Sequence, residues 1–100
     1  MTRQEHLLVH CMEECDEVSQ RISKAMRFGM QQVQRANWDK PEQNPEQLTN
    51  MVRIINEYND LVAVMEMAGI PLIVTEERKA AKRAKVEKYL LFAKEQGTLT

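Results

Sequence analysis

The amino-acid sequence predicts an all-α fold, a helical bundle of three main helices per chain that is completed by dimerisation. Residues that favour strands and turns are scarce, since only 5 of the 100 residues are aromatic and only 3 are Gly and 3 Pro. Residues that extend helices at low cost, among them Met, Glu, Gln, Lys, Ala and Leu, are abundant. Apolar residues also recur at spacings of three and four, the period of an amphipathic helix.

The size and charge of the chain limit its class. We expect residues 1–100 to form one domain, because a chain of this length has no room for two cores. The net charge of −1 gives no electrostatic bias toward nucleic acid or a membrane surface, so neither is expected as a partner. No apolar run approaches the roughly 20 residues of a membrane span, and the N-terminus lacks the layout of a secretion signal, which predicts a cytoplasmic protein.

The first helix is expected over residues 2–28. Thr2 and Glu5 have the spacing of a capping box at its start, and Gly29 stops it. At 100° per residue, one side of this helix is apolar and is predicted to face the core. That side contains Leu7, Leu8, Cys11, Cys15, Val18, Ile22, Ala25 and Met26.

A polar loop is expected over residues 29–48, with Trp38 as its one aromatic residue. A connection of this length is unusual in a compact domain. It is either a functional lid or a segment that packs on a partner, and the sequence leaves both interpretations open.

The second helix is expected over residues 49–69. Thr49 or Asn50 caps its start, and Gly69 ends it. Its segment LVAVMEM, residues 61–67, is apolar on nearly every side. In a chain this small, such a segment predicts burial by a second subunit as well as by its own core.

The third helix is expected over residues 75–96, with Thr75 at its start and Gly97 at its end. Its charge differs from that of the rest of the chain. Residues 1–74 contain 7 basic and 11 acidic side chains, whereas residues 75–100 contain 7 basic and 4 acidic ones. We therefore expect an acidic pair of helices that faces a basic third helix.

Two acidic motifs lie on the first two helices: Glu13, Glu14 and Glu17 on one, Glu57 and Asp60 on the other. Spacings of three and four place side chains on one side of a helix. Glu14 and Glu57 fall at the edge of the apolar side, and Glu17 and Asp60 fall one step farther toward solvent. If the helices pack antiparallel through their apolar sides, four carboxylates converge in a partly buried place.

Carboxylates that converge repel one another unless a cation neutralises them. Ligands that are all oxygen suit Mg²⁺, or Mn²⁺ as a substitute, better than zinc, and point to phosphate chemistry. A di-iron centre needs Glu-x-x-His on two helices, and neither helix has it. The competing interpretation is a solvated acidic surface with no metal.

The two histidines and two cysteines do not form a zinc site. His6 and His10 lie about 100° around the helix from Cys11 and Cys15, so the four side chains cannot meet at one ion within a chain. We expect both cysteines to be small buried hydrophobes and His6 to be exposed. His10, one turn before Glu14, is placed to support a metal ligand.

The motifs EECDE, residues 13–17, and EYND, residues 57–60, resemble the E-E-x-x-E and E-x-x-D signature of MazG-type all-α nucleoside triphosphate pyrophosphohydrolases. The flanking segments EECDEVSQRISKAMRFG and LTNMVRIINEYNDLVAVMEMAG are similar to those of small phage-encoded and bacterial MazG-like proteins. The resemblance covers roughly residues 5–92. It implies a Mg²⁺-dependent hydrolase, a homodimer or dimer of dimers, that splits a nucleoside triphosphate into monophosphate and pyrophosphate in the cytoplasm, the host's if phage-encoded.

The resemblance also assigns roles to the acidic residues. Glu14, Glu17, Glu57 and Asp60 match the metal ligands of the family, and Glu13 would support them or orient a water molecule. All five are therefore candidate catalytic residues. Removing one ligand is expected to slow the reaction by about 10² to 10⁴.

Candidate residues for the substrate lie on all three helices and in the loop. For the phosphates, Arg21 and Lys24 follow the first acidic motif, and Lys82, Lys85 and Lys88 lie on the basic third helix. The lysines of the third helix equally fit a solvated surface or pairing with the acidic helices. For the base, Trp38 is placed to stack on it and Asn56 to contact its edge, although Trp38 also fits a gap between subunits.

Other functions are compatible with the same residues. Phosphoribosyl-ATP or ppGpp is an alternative substrate of a related pyrophosphohydrolase. A non-catalytic helical protein that dimerises through LVAVMEM is an alternative of another class. DNA binding by the third helix has weak support, because its charge balance is only +3.

Overall fold

The computed structural model describes residues 1–33 and 46–100. These residues form three α-helices and no strand: α1 (Arg3–Phe28), α2 (Asn50–Met67) and α3 (Glu76–Glu95). The all-α prediction is confirmed. Each helix begins and ends within two residues of the expected position. Trp38 and most of the expected loop lie outside the described residues.

A threonine side chain begins each helix. The hydroxyl oxygens of Thr2, Thr49 and Thr75 accept hydrogen bonds from backbone N–H groups three residues later, at 3.1 to 3.2 Å. These bonds satisfy donors that the first turn of a helix leaves without a partner. The Thr2 hydroxyl also donates to the Glu5 carboxylate at 3.2 Å.

A glycine in the left-handed region follows the end of each of the last two helices. Gly69 has φ 76° and Gly97 has φ 78°. The amide of Ile70 donates to the Met65 carbonyl at 3.0 Å, and the amide of Thr98 donates to the Ala93 carbonyl at 2.9 Å. These bonds close the last turns, and a residue with a side chain rarely adopts this backbone.

The helices α1 and α2 pack against each other in antiparallel orientation. Gln4, at the start of α1, donates a 2.8 Å hydrogen bond to the Ala68 carbonyl at the end of α2. At the opposite end, the side-chain amide of Asn50 donates to the Gly29 carbonyl at 2.8 Å and to the Gln32 side chain at 3.1 Å. An isolated antiparallel bridge pairs Val33 with Thr49. Both ends of the α1–α2 hairpin are therefore tied.

The buried and half-buried side chains of α1 recur every three or four residues and form its inner face. They are Leu7, Cys11, Glu14, Val18, Arg21, Ala25 and Phe28, and the half-buried Lys24 lies at the edge of this face, one residue before Ala25. Four residues that the sequence predicted on this side are exposed instead: Leu8, Cys15, Ile22 and Met26. The prediction was wrong for these because the apolar arc of α1 is wider than the strip that one partner helix covers. Cys15 is accordingly not a buried hydrophobe, whereas Cys11 is half-buried.

Exposed apolar residues of α1 and α2, together with the half-buried Val62 and Met65, form a second surface, here called the apolar face. On each helix this surface lies one residue after the inner face, as Leu8 follows Leu7 and Tyr58 follows Glu57. One residue is a rotation of 100°, and the same rotation on two antiparallel helices brings both sets to one side of the hairpin. The apolar face consists of Leu8, Met12, Cys15, Ile22, Met26, Met51, Ile55, Tyr58, Val62 and Met65.

The helix α3 packs against neither α1 nor α2, both of which are fully described. No residue of α3 is buried. The expected three-helix bundle is thus not formed within one chain, and the acidic pair of helices does not face the basic third helix. Residues 70–75 between α2 and α3 form no helix, and Pro71 among them cannot continue the hydrogen-bond pattern of a helix. Within the described residues, no helix is both long enough and apolar enough to cross a membrane.

We predict that Asn50→Ala lowers the free energy of unfolding by about 1 to 3 kcal/mol, because Asn50 is only 1% exposed and its loss removes two side-chain hydrogen bonds at the closed end of the hairpin. Urea unfolding at fixed protein concentration measures this change. Asn59→Ala is the matched control, since the Asn59 side chain is exposed and bonds only within its own helix in the described structure. We expect a change within about 0.5 kcal/mol for the control. Equal effects for the two variants would contradict the role of Asn50.

Candidate metal centre

Three carboxylates from α1 and α2 meet at the middle of the hairpin. Glu14, Glu17 and Glu57 each offer an oxygen atom, and these atoms lie within 4.8 Å of one another. Antiparallel packing creates this cluster, because it places the middle of α1 against the middle of α2. Glu14 and Glu57 are half-buried and Glu17 and Asp60 are exposed, as the helical spacing predicted.

Burial raises the pKa of Glu14, and the Glu17 carboxyl raises it further through its charge and a hydrogen bond. Burial also raises the pKa of Glu57, again followed by effects of Glu17. Asp60 adds a smaller increase at both groups, which places its charge near the cluster although it is not among the three that meet. The four carboxylates therefore form one electrostatic unit.

Two oxygen atoms of this unit have no hydrogen-bond partner among the described residues. Oε2 of Glu14 and Oε2 of Glu57 are both shielded from solvent. A buried carboxylate oxygen without a donor is costly, and a cation is one group that removes the cost. Oxygen ligands from three carboxylates, two of them partly desolvated, fit a hard divalent cation such as Mg²⁺ or Mn²⁺.

Arg21 provides a positive charge within the hairpin. Its Nε lies 3.7 Å from Oε1 of Glu57, and the side chains of the two residues are 21% and 18% exposed. Arg21 lowers the pKa of Glu57 and so opposes the effect of burial. The sequence predicted Arg21 as a phosphate contact, and the structure also gives it this ion pair across the hairpin.

Arg53 and Asn50 are two polar residues of the α1–α2 interface that the sequence analysis did not select. They are 5% and 1% exposed, respectively. They precede Glu57 on α2 at helical spacings of four and seven residues, which places all three on one side of the helix. That spacing is the signal that could have identified them. The side of α2 that packs on α1 therefore contains three polar residues, Asn50, Arg53 and Glu57, although much of the helix is apolar.

The remaining candidates on α1 and α2 lie outside the interface or at its edge. Glu13 is not in the cluster, because its carboxylate is 63% exposed and lies 3.7 Å from Nδ1 of His10. His10 lowers the pKa of Glu14, so its charge acts on the cluster without contacting it as a ligand. Lys24 is half-buried and Asn56 is exposed.

A second side of the hairpin, here called the acidic face, contains Glu17, Lys24, Asn56 and Asp60. Each comes one residue before a residue of the inner face, as Glu17 precedes Val18 and Asp60 precedes Leu61. This rotation is opposite to that of the apolar face, so the two faces lie on opposite sides. The open side of the cluster therefore faces away from the apolar face.

The lysines of α3 are not brought to the cluster within one chain, since α3 contacts neither α1 nor α2. Lys82 and Lys85 line a groove of about 170 Å³ with Arg78 and Ala81. Nζ of Lys85 also lies 6.0 Å from the centre of the Tyr89 ring. Lys88 is exposed. These groups meet the carboxylates only if α3 comes from another copy of the chain or moves.

The raised pKa values predict how the stability of the metal-free protein depends on pH. A carboxyl whose pKa is higher in the folded protein than in the unfolded chain binds its proton more tightly when folded. The free-energy cost of burying the charged side chains of Glu14 and Glu57 is therefore absent at a pH where both are protonated. It develops as the pH rises from 4.5, the ordinary pKa of a glutamate, through the raised pKa of the folded protein. We expect Glu14→Gln to stabilise the metal-free protein at pH 7.5 and to lose this advantage toward pH 4.5.

Thermal unfolding in EDTA between pH 4.5 and pH 8 measures this dependence. Glu13→Gln is the matched control, because it removes the same charge from an exposed position one residue away. A gain that is equal in the two variants, or that increases toward acid pH, would contradict the assignment of the cost to the buried carboxyl.

Comparison with known proteins finds no match: no family model, no curated protein and no solved structure is similar to this chain. The likeness to MazG-type enzymes therefore depends on the two acidic motifs and their flanking segments. The geometry of the carboxylate cluster is an observation independent of that likeness.

Proposed function

We propose that this protein is a Mg²⁺-dependent pyrophosphohydrolase that splits a nucleoside triphosphate, NTP or dNTP, into monophosphate and pyrophosphate. The observation that carries the proposal is the meeting of Glu14, Glu17 and Glu57 within 4.8 Å, with shielded oxygen atoms on Glu14 and Glu57 that have no donor among the described residues. Acid-only sites of this kind bind Mg²⁺, which is commonly shared with substrate phosphates.

The buried and exposed carboxylates would have different roles in binding the cation. Glu14 and Glu57 would hold the cation from the hairpin, and Glu17 and Asp60 would complete its ligands from the exposed side. Mg²⁺, when bound, neutralises phosphate oxygens and lowers the pKa of a bound water. A carboxylate at the open side would orient the attacking water and accept its proton.

The phosphates and the base would be bound on the acidic face. Lys24 lies on that face, and Arg21 lies beside Glu57 at its edge. Asn56 is exposed one residue before Glu57, within the same face, and would contact the base or sugar. A homodimer or dimer of dimers belongs to the same proposal, because one chain leaves its apolar face and α3 uncovered. Phosphoribosyl-ATP and ppGpp are alternative substrates of a related pyrophosphohydrolase, and phosphoribosyl-ATP contains the same phosphoanhydride bond as a nucleoside triphosphate.

We expect Glu17→Ala to lower the rate of pyrophosphate release from nucleoside triphosphates by about 10² to 10⁴, because it removes a metal ligand needed in the transition state. Pyrophosphate release is measured in millimolar Mg²⁺ across canonical, deoxy and damaged triphosphates, with phosphoribosyl-ATP and ppGpp assayed by their own products. Asp16→Ala is the matched control, since Asp16 is the exposed neighbouring acid and is not in the cluster. Full activity of Glu17→Ala on every substrate that the wild type cleaves would contradict the assignment.

A second candidate function is a non-catalytic helical interaction protein, and the exposed apolar face favours it.

The two functions differ in how the melting temperature responds to metal. If the cluster binds Mg²⁺, a tenfold excess over Kd stabilises the fold by about 1.4 kcal/mol, or about 7 °C for a chain of this size. We expect this shift in the wild type and its loss in Glu14→Gln. No shift with Mg²⁺, Mn²⁺ or nucleotide would favour the interaction protein.

A further inference from the structure

A groove of about 430 Å³ lies at the end of the hairpin where α1 begins and α2 ends, and it is here called the terminal groove. Its volume is in the range of small-molecule binding sites. Gln4 donates a 2.8 Å hydrogen bond to the Ala68 carbonyl at this end, so α1 and α2 are held together beside the groove. The residues that line it are Arg3, His6, Leu7, His10, Val64 and Met67.

The terminal groove continues the acidic face from the carboxylate cluster toward the start of α1. His6 and His10 each come one residue before a residue of the inner face, as the members of the acidic face do. His10 lies one turn before Glu14, and Val64 lies one turn after Asp60. His10 also lowers the pKa of Glu14, as a positive charge close to a carboxyl does. A ligand bound at the cluster can therefore extend into the groove.

The polar side chains of the groove suit an anion better than a cation. Within the described residues, no carboxylate lines the groove, and Glu13, 3.7 Å from Nδ1 of His10, lies outside the lining. Neither Arg3 nor His6 forms an ion pair with another residue of the described chain. Two imidazoles four residues apart are also a common metal-binding pair. The Arg3 guanidinium in the same lining repels a cation, however, and binds phosphate oxygens well.

The spacing of these side chains along α1 fits a chain of phosphates that starts at the cluster. At 1.5 Å per residue, His10 lies about 6 Å and His6 about 12 Å from Glu14 along the helix axis. Arg3 lies one turn beyond His6, and its long side chain reaches the outer end of the groove. When one phosphate of a nucleotide lies at the cluster, the following phosphates therefore meet the histidines first.

We propose that the terminal groove binds the β- and γ-phosphates of the nucleotide through Arg3, His6 and His10. Hydrolysis breaks the bond between the α- and β-phosphates, and the pyrophosphate that leaves carries more negative charge than the monophosphate. The cationic groove suits this product. The nucleoside and its α-phosphate then lie toward the other end of the acidic face, at Asn56 and Lys24. This orientation rests on the proposed function, whereas binding of pyrophosphate to the groove does not.

The histidines provide a direct test of the groove, because His6 and His10 are the only two in the chain. We expect inorganic pyrophosphate, added in millimolar Mg²⁺, to shift the imidazole NMR signals of both residues. The common nucleoside monophosphates should shift them less, since their phosphate binds on the other side of the cluster. The variant His6→Gln assigns the two signals. This measurement requires no catalytic activity.

Calorimetric titration with pyrophosphate tests the role of Arg3. We expect Arg3→Gln to weaken pyrophosphate binding by about tenfold, because it removes a charge-assisted hydrogen bond to the phosphate oxygens. Arg27→Gln is the matched control, since it removes the same charge from an exposed position at the other end of α1, away from the groove. The control should bind pyrophosphate as the wild type does. Circular dichroism confirms that both variants remain helical.

Pyrophosphate that leaves both histidine signals unchanged, or that binds Arg3→Gln as tightly as the wild type, would overturn the proposal. Larger shifts with a monophosphate than with pyrophosphate would reverse the orientation and would also overturn it. The assay of pyrophosphate release separates this result from the proposed function. Hydrolysis without binding in the groove would refute the groove alone, whereas binding in the groove without hydrolysis of any substrate would support the groove and contradict the hydrolase.

Discussion

The structure depends on the packing of α1 against α2, and that interface has acids at its centre. Among the described residues, this is the only contact between helices. The same surface therefore has to supply the core and to accommodate Glu14 and Glu57, whose charges lose water on folding. Arg21 offsets part of this cost through its contact with Glu57. The buried carboxylates destabilise the folded state when no cation is present. A cation that binds them only in the folded state would stabilise it.

The hairpin separates two surfaces with different chemistry. The inner face uses one strip of each helix, the apolar face lies on one side of that strip, and the acidic face lies on the other. This separation follows from the rotation of 100° per residue, because residues just before and just after an inner-face residue point in opposite directions. Self-association and binding of a charged ligand can therefore occur on the same pair of helices without competing for the same side chains.

The helix α3 forms without packing on α1 or α2. It has a regular start at Thr75 and a regular end at Gly97. Local signals are sufficient to define such a helix. Glu76 pairs with Lys79 at 2.7 Å and with Arg83 at 3.4 Å, which supports the first turns from within the helix. Exposed pairs of this kind contribute little to stability, and the apolar residues Tyr89 to Phe92 are exposed as well.

The sequence alone determined the helices, their caps and the order of burial of the acids. These features are local: a threonine with a backbone amide three residues later, a glycine with positive φ, and the position of Glu14 relative to Glu17 on one helix all follow from spacing. Tertiary structure decided which part of the wide apolar arc of α1 faces α2, and so exposed Cys15 and Ile22 while leaving Arg21 half-buried. It also decided that three carboxylates meet while Glu13 does not, and that α3 stays apart. A helical period defines the angle between two residues of one helix, but the direction in which a helix turns toward its partner depends on contacts between residues far apart in the chain.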